Sequence, residues 1–160
     1  MVVGCDYAEW ERRKAAQRYL QQIGDIDNQI KSMIKEIEAL QDKAFSINTV
    51  QTDKPRVTTS QQSEARFVGY IARKDEIEHD VDQELSRLVD LKMQIREIID
   101  LVPDVKCQLV LRYRYIHLLS WPETRERLDL CEKSAYNLHK KALSFVADIL
   151  GAQNSASLPA

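Results

Sequence analysis

Apolar residues recur along the first part of the chain at alternating steps of three and four positions. The residues between them are largely Gln, Asp, Lys and Glu. This spacing predicts one long helix from about Asp6 with a coiled-coil seam along one side. The predicted seam consists of Ala16, Tyr19, Ile23, Ile26, Ile30, Met33, Ile37, Leu40 and Ala44.

A second run with the same periodicity opens near Thr59 and ends before Pro103. Proline is incompatible with an undisturbed helix interior, so the second helix is expected to stop there. Between the two runs, residues 46–62 lose the periodicity and gain Ser, Thr, Asn and a proline, which predicts a polar linker. The seam predicted for the second helix consists of Ile77, Val81, Leu85, Leu88, Leu91, Ile95, Ile98 and Val102.

Each of these helices has one apolar stripe and a charged back, and neither stripe can be buried by its own helix in water. We therefore expect residues 1–102 to form a long antiparallel, coiled-coil-like helical hairpin. The pattern leaves two pairings open, within one chain or between two chains as a homodimer. It also leaves open whether the hairpin is a simple spacer or a dimerisation and partner-binding arm.

The last third of the chain predicts three shorter helices, within residues 103–150, followed by a disordered tail at 151–160. Asp104 can start the first of them, and Ser120 can cap the second, since Glu123 stands at capping-box spacing and Pro122 falls in the first turn. A third, longer helix is expected from Glu132. The predicted fold class is thus all-α, with the hairpin followed by a compact module in which a short helix, a tight turn and a longer helix form a helix-turn-helix.

The third helix of this module has two different faces at 100° per residue. One is apolar and should face the core: Ala135, Leu138, Ala142, Val146 and Ile149. The opposite face carries Lys133, Asn137 and Lys140, with Ser134, Tyr136 and Lys141 at its flanks. Lys can reach guanine acceptors or phosphates, and Asn can pair with adenine, so this face suits DNA. A solvated helix face that keeps its lysines for solubility is the alternative.

Composition supports a soluble, mostly helical protein. The chain has 160 residues, of which 44% are hydrophobic and 30% charged, with only four Gly and four Pro. It lacks a long apolar run and a signal-peptide pattern, so no membrane association and a cytoplasmic location are expected. The three cysteines are far apart in sequence and predict reduced thiols.

Charge and motifs give little support to other functions. The net charge of −2 lacks the strongly basic character that would by itself indicate nucleic-acid binding. His79, His117 and His139 have no partners at metal-ligand spacing, and no nucleotide-binding or nucleophile motif is present. We therefore expect no catalytic residues, no metal, no cofactor and no enzymatic activity.

The run "LVLRYRYIHLLSWPETRERLDLCEKSAYNLHKKAL" resembles region 4 of sigma-70-type factors. An Leu-Arg-Tyr helix, a "LSW.E" helix start and a Leu-His-Lys-x-Ala-Leu recognition-helix end occur in the same order. Over roughly residues 18–147 the chain is also similar to small phage and prophage proteins of Gram-positive bacteria, which carry a sigma-70 region-4-like module at the C-terminus.

The resemblance implies a phage-type transcriptional regulator that binds promoter or operator DNA in the major groove. Four positions match region-4 residues that face bases: Glu132, Lys133, Ser134 and Asn137. Tyr136, Lys140 and Lys141 match positions beside the DNA backbone. The alternative is an interaction protein whose coiled coil binds RNA polymerase or another regulator without sequence-specific DNA binding.

Two residues depart from the region-4 pattern. Asp129 stands where the turn usually has glycine, and Asp adopts the left-handed backbone conformation at some cost. Cys131 stands where the cap of the recognition helix is usually Ser or Thr, and a thiol is a poor acceptor for the exposed N–H groups. Glu132 in the first turn offsets part of that loss through the helix dipole.

Overall fold

A computed structural model describes residues 3–50 and 59–157 of the chain, and within these ranges all regular secondary structure is helical. The all-α prediction is confirmed. There are five α-helices and one π-helical turn in the described ranges: α1 Val3–Val50, α2 Thr59–Asp100, α3 Val105–Leu111, the π-helical turn Arg112–Ile116, α4 Trp121–Leu128 and α5 Glu132–Ala156. The two long helices α1 and α2 pack closely.

The chain forms two compact units, and each long helix contributes to both. One unit comprises Met1–Asp25 and Val89–Ala160, so it combines the first part of α1, the last part of α2 and all of α3 to α5. The other comprises Ile26–Leu88. The boundary predicted near residue 103 divides the chain into two continuous segments. The observed units are defined by contacts, and the first unit joins segments that are distant in sequence.

The first unit has a core to which α1, α2, α3 and α5 all contribute. Its fully buried aliphatic side chains are Leu20, Ile23, Ile95, Ile99, Val102, Val110, Leu111 and Val146. Three residues of the predicted apolar face of α5, namely Ala135, Ala142 and Val146, are buried. Burial of these stripes, rather than helix propensity, is what stabilises helices of this kind in water.

The second unit uses the predicted seams of both long helices. Ile26, Ile30 and Ala44 of α1 and Ile77 and Leu88 of α2 are buried, and Glu36 of α1 lies 3.9 Å from Arg73 of α2. One predicted seam residue is wrong: Leu85 is 47% exposed. The neighbouring Glu84 takes that place in the seam, since its side chain is only 29% exposed. The seam therefore runs from Val81 to Glu84, a step of three, and then to Leu88, a step of four.

The helix ends differ from the sequence predictions at two places. α1 continues to Val50, into the predicted linker of residues 46–62, and residues 51–58 of that linker lie outside the described residues. α5 continues to Ala156, six residues beyond position 150, where a tail was predicted. Gly151 does not end α5 because Ala, Gln and Ser follow it, and none of these prevents the helix from continuing.

The segment between α2 and α4 is anchored at both ends. Asp104 caps α3, since its side chain accepts hydrogen bonds from the backbone N–H groups of Lys106 and Cys107. The π-helical turn then buries Tyr115 and Ile116. It is followed by Leu118, whose φ of 55° is left-handed. The Leu118 side chain lies over Gly24 of α1, where an added Cβ would be 3.6 Å from Leu118 Cδ2.

Candidate functional site

The start of α4 is a complete capping box, as predicted. The Ser120 hydroxyl accepts from the backbone N–H of Glu123, and the Ser120 N–H donates to the Glu123 carboxylate at 2.8 Å. Hydrogen bonds from the Ser120 hydroxyl and N–H lower the pKa of Glu123. α4 ends at Asp129, whose φ of 52° and ψ of 50° give the expected left-handed conformation without glycine. These two features fix where α4 begins and ends, and therefore where α5 can begin.

An aromatic and histidine cluster joins α4 to the rest of the first unit. The Trp121 ring packs edge-on against His139 with 4.8 Å between ring centroids, and the Arg114 guanidinium lies 4.6 Å from the Trp121 ring centroid. The Tyr115 hydroxyl hydrogen-bonds to Nε2 of His139 at 2.7 Å. Burial lowers the pKa of His139 to about 4, with the Arg114 charge acting in the same direction. Trp121 and His139 therefore pack against each other.

The start of α5 lacks the capping interaction that α4 has. Cys131 is the N-cap residue, with extended backbone geometry and no side-chain hydrogen bond to the helix N–H groups. Its thiol donates instead to the Ser134 hydroxyl at 3.2 Å. The Ser134 hydroxyl, which can donate to the sulfur once the thiol has lost its proton, lowers the pKa of Cys131. The weak cap predicted from the sequence is present in the structure.

Replacing Cys131 with serine is expected to stabilise the protein. A serine hydroxyl in the same extended geometry can accept from the Ser134 N–H, as Ser120 does from Glu123, and such a cap contributes about 1 kcal/mol. The free energy of unfolding, measured by urea denaturation, should rise by that amount for Cys131→Ser. Cys131→Ala, which offers no acceptor, is the matched control. Equal stabilities of the serine and alanine variants would contradict the prediction.

All seven residues predicted to contact DNA are exposed on α5, but three of them have protein partners. Glu132 lies 3.7 Å from Arg125 of α4. Ser134 bonds to Cys131, and Lys141 forms an ion pair with Asp104 at 2.8 Å. The Lys141 ammonium lowers the pKa of the Asp104 carboxyl. Among the described residues, the other four predicted residues make no side-chain hydrogen bond or ion pair: Lys133, Tyr136, Asn137 and Lys140.

The first turns of α1 lie beside α5 and line a groove with it, a feature that the sequence does not predict. A groove of about 1320 Å³ lies within the first unit. One side is lined by α1 residues that include Tyr7, Trp10 and Lys14, and the other by residues of α4 and α5. Lys133, Tyr136 and Lys140 line the groove, whereas Asn137 does not. An ion pair between Arg12 and Asp148 at 2.6 Å joins α1 to α5 nearby.

The described residues provide no candidate for a metal centre. In residues 3–50 and 59–157 no group of three or more His, Cys, Asp or Glu side chains could hold a metal ion. Over the same part of the chain, no helix combines the length and the apolar character needed to cross a membrane.

Comparisons with protein-family models, with curated proteins and with solved structures found no match to this chain.

Proposed function

We propose that the protein is a phage-type transcriptional regulator that binds double-stranded DNA through a sigma-70 region-4-like helix-turn-helix formed by α4 and α5. The observation that carries the proposal is the exposed face of α5 with Lys133, Asn137 and Lys140 free of protein partners among the described residues. The short α4, the left-handed Asp129 and the longer α5 have the order of a helix-turn-helix. The sequence resemblance to region 4 supports the same function.

The spacing of these three residues suits the dimensions of DNA. From Lys133 to Lys140 the helix rises by about 10.5 Å, which corresponds to about three base pairs at roughly 3.4 Å each. Asn137, between the two lysines, can pair bidentately with adenine, and the lysines can reach guanine or phosphate oxygens. A single copy of α5 would then read a short core of about three base pairs.

The ion pairs of Glu132 and Lys141 make these two residues less important for the proposed DNA contacts. Arg125 lies close enough to Glu132 to offset part of its negative charge, which reduces the repulsion that an acidic residue at the helix start would exert on phosphates. Lys141 would have to leave Asp104 to reach a phosphate. The proposed contact set is therefore Lys133, Tyr136, Asn137 and Lys140, with Glu132, Ser134 and Lys141 as flanking residues.

The two long helices would form the predicted hairpin within one chain. The buried seam residues of both helices and the Glu36–Arg73 pair support this pairing. A second candidate function is an interaction protein that binds RNA polymerase or another regulator without reading DNA. Val89 and Met93, one helical turn apart on α2, favour it because they are 53% and 56% exposed and offer an apolar surface to a partner.

The test is selection from a random duplex DNA library, followed by affinity measurements with the double variant Lys133→Ala/Asn137→Ala. We expect one enriched motif and a loss of roughly 1–3 kcal/mol in binding free energy per lost base contact. The parent should also bind more weakly as salt rises, with a log–log slope of about −0.9 per phosphate contact.

The matched control is Lys106→Ala/Asn154→Ala, which removes an exposed lysine and an exposed asparagine outside the proposed face. Its affinity should equal that of the parent. Circular dichroism should give the same helical signal for all three proteins. Failure of the library to yield any motif, together with capture of RNA polymerase subunits by the protein, would favour the second candidate function.

A further inference from the structure

The groove between α1 and α5 presents exposed aromatic rings. Tyr7 and Trp10 stack on each other with centroids 5.8 Å apart and an interplanar angle of 26°. They are 61% and 47% exposed, and Tyr136 on the α5 side is 65% exposed. Trp121 also lines the groove, but its ring is occupied by Arg114 and His139. Trp10 and Tyr136 are exposed enough to meet an incoming planar group; at Trp10 that group would take the place of the Lys14 ammonium, which lies 5.7 Å from the ring centroid.

Positive charge is distributed along both sides of the same groove. Five Lys or Arg side chains line it against two Asp or Glu: the basic residues are Arg13, Lys14, Arg125, Lys133 and Lys140, and the acidic ones are Asp6 and Glu132. Arg13 pairs with Glu9 and Arg125 lies near Glu132. Lys133 and Lys140 make no ion pair with any described residue, and Lys14 lies 5.7 Å from the Trp10 ring centroid.

Aromatic rings alternating with unpaired lysines are the combination that proteins use for single-stranded nucleic acids. Every base has a face that stacks on a ring, and every phosphate has a charge that a lysine can neutralise. We propose that this groove binds a single strand of DNA or RNA, with bases stacked on Trp10 and Tyr136 and phosphates held by Lys14, Lys133 and Lys140.

The groove fits other ligand classes less well. An amphipathic peptide helix needs a row of aliphatic contacts, whereas the aliphatic lining residues are Ala135 and Leu143, and both are buried. Paired bases in a duplex present no free face to Trp10, so a duplex would reach this groove through residues of α5 such as Lys133 and Lys140 and not through the aromatic side chains of α1.

This inference is separable from the proposed function. Duplex recognition relies on Asn137, which lies outside the groove, and single-strand binding relies on Trp10, which lies on α1. Lys133 and Lys140 belong to both sets, so duplex and single strand are expected to compete. The protein would then hold either the paired or the unpaired form of a nucleic acid.

The test is fluorescence anisotropy of fluorescein-labelled oligothymidylate with the full chain at low salt. We expect binding by the parent and a loss of roughly 5- to 150-fold in affinity for Trp10→Ala, the range that corresponds to the loss of one stacked base. Trp10→Phe, which keeps a ring, should recover part of the loss. Asn137→Ala should bind the oligonucleotide like the parent. Circular dichroism checks that the variants fold, which is expected because Trp10 is about half exposed.

Three results would overturn the proposal. The first is no binding of oligothymidylate by the folded parent, and the second is equal binding by Trp10→Ala. The third is equally strong binding of labelled polyglutamate with the same dependence on Trp10, since that would identify an acidic polypeptide as the better ligand. Loss of duplex binding in Asn137→Ala with unchanged oligothymidylate binding would support both proposals independently. A parent that binds oligothymidylate through Trp10 but selects no duplex motif would contradict only the duplex function.

Discussion

Leu20→Ala should lower the free energy of unfolding by about 2–5 kcal/mol, the usual cost of truncating a fully buried leucine. Leu20 has no exposed surface and lies on α1 in the core of the first unit. The cost has two parts. The variant loses the favourable free energy of burying the leucine methyl groups, and an unfilled cavity remains between the packed helices. Urea denaturation followed by circular dichroism measures it.

Leu85→Ala is the matched control, because it makes the same change at a leucine that is 47% exposed on α2. It should cost less than about 1 kcal/mol, since little apolar surface and no enclosed volume are lost. A cost at Leu85 as large as that at Leu20 would show that Leu85 is covered in solution, for example by a second copy of the chain. Sedimentation equilibrium of both variants would then show whether the chain dimerises.

The second large effect is a dependence of stability on pH that arises from His139. Burial holds the pKa of His139 at about 4 in the folded chain, against about 6.5 in the unfolded chain. Between these values the unfolded state binds a proton that the folded state does not, so stability falls as pH falls. The slope should be about 1.4 kcal/mol per pH unit, giving a total loss of about 3 kcal/mol between pH 6.5 and pH 4.

His139→Gln removes the titrating group and keeps a polar side chain that can bond to the Tyr115 hydroxyl. The variant should be less stable than the parent at neutral pH, because the ring packing against Trp121 is lost. The difference between the two proteins should shrink by about 3 kcal/mol as pH is lowered through this window. A constant difference across the window would mean that His139 keeps its ordinary pKa when the chain folds.

The fold class and the helix starts could be predicted because they depend on neighbours in sequence. Ser120 and Glu123 are three residues apart, and their capping box needs no distant contact. The left-handed turn at Asp129 and the weak cap at Cys131 are local in the same way. The apolar periodicity also located most of both seams, since it reflects the geometry of a single helix.

The errors on the seams have one cause. Steps of three and four are both compatible with a helix face, so the pattern alone could not choose between neighbouring residues. It omitted Leu20, which is buried beside the half-buried Tyr19, and it selected Leu85 in place of Glu84. Leu20 is fully buried in the structure because α2 and the C-terminal helices also pack around α1 in the first unit. That environment is not visible in the periodicity of one helix.

The groove could not be predicted from the sequence for a similar reason. The ion pair between Arg12 and Asp148 joins residues 136 positions apart, and no local pattern links them. From the local sequence pattern alone, Trp10 and Lys14 would be two residues on the exposed side of a helix. Only the folded first unit brings them beside Lys133 and Tyr136.

The division of the chain into units has a consequence for its biosynthesis. The first 25 residues share a core with residues 89 and beyond, so they leave the ribosome well before most of their partners have been translated. Until then Leu20 and Ile23 present their apolar side chains to water or to a chaperone. Within the segment Ile26–Leu88, the last part of α1 can pair with the first part of α2 while translation continues. This pairing shortens the loop that must close before the N-terminal turns of α1 reach α5. Ribosomes stalled before α5 is translated should therefore carry a chain whose second unit is protected from proteolysis and whose first residues are not.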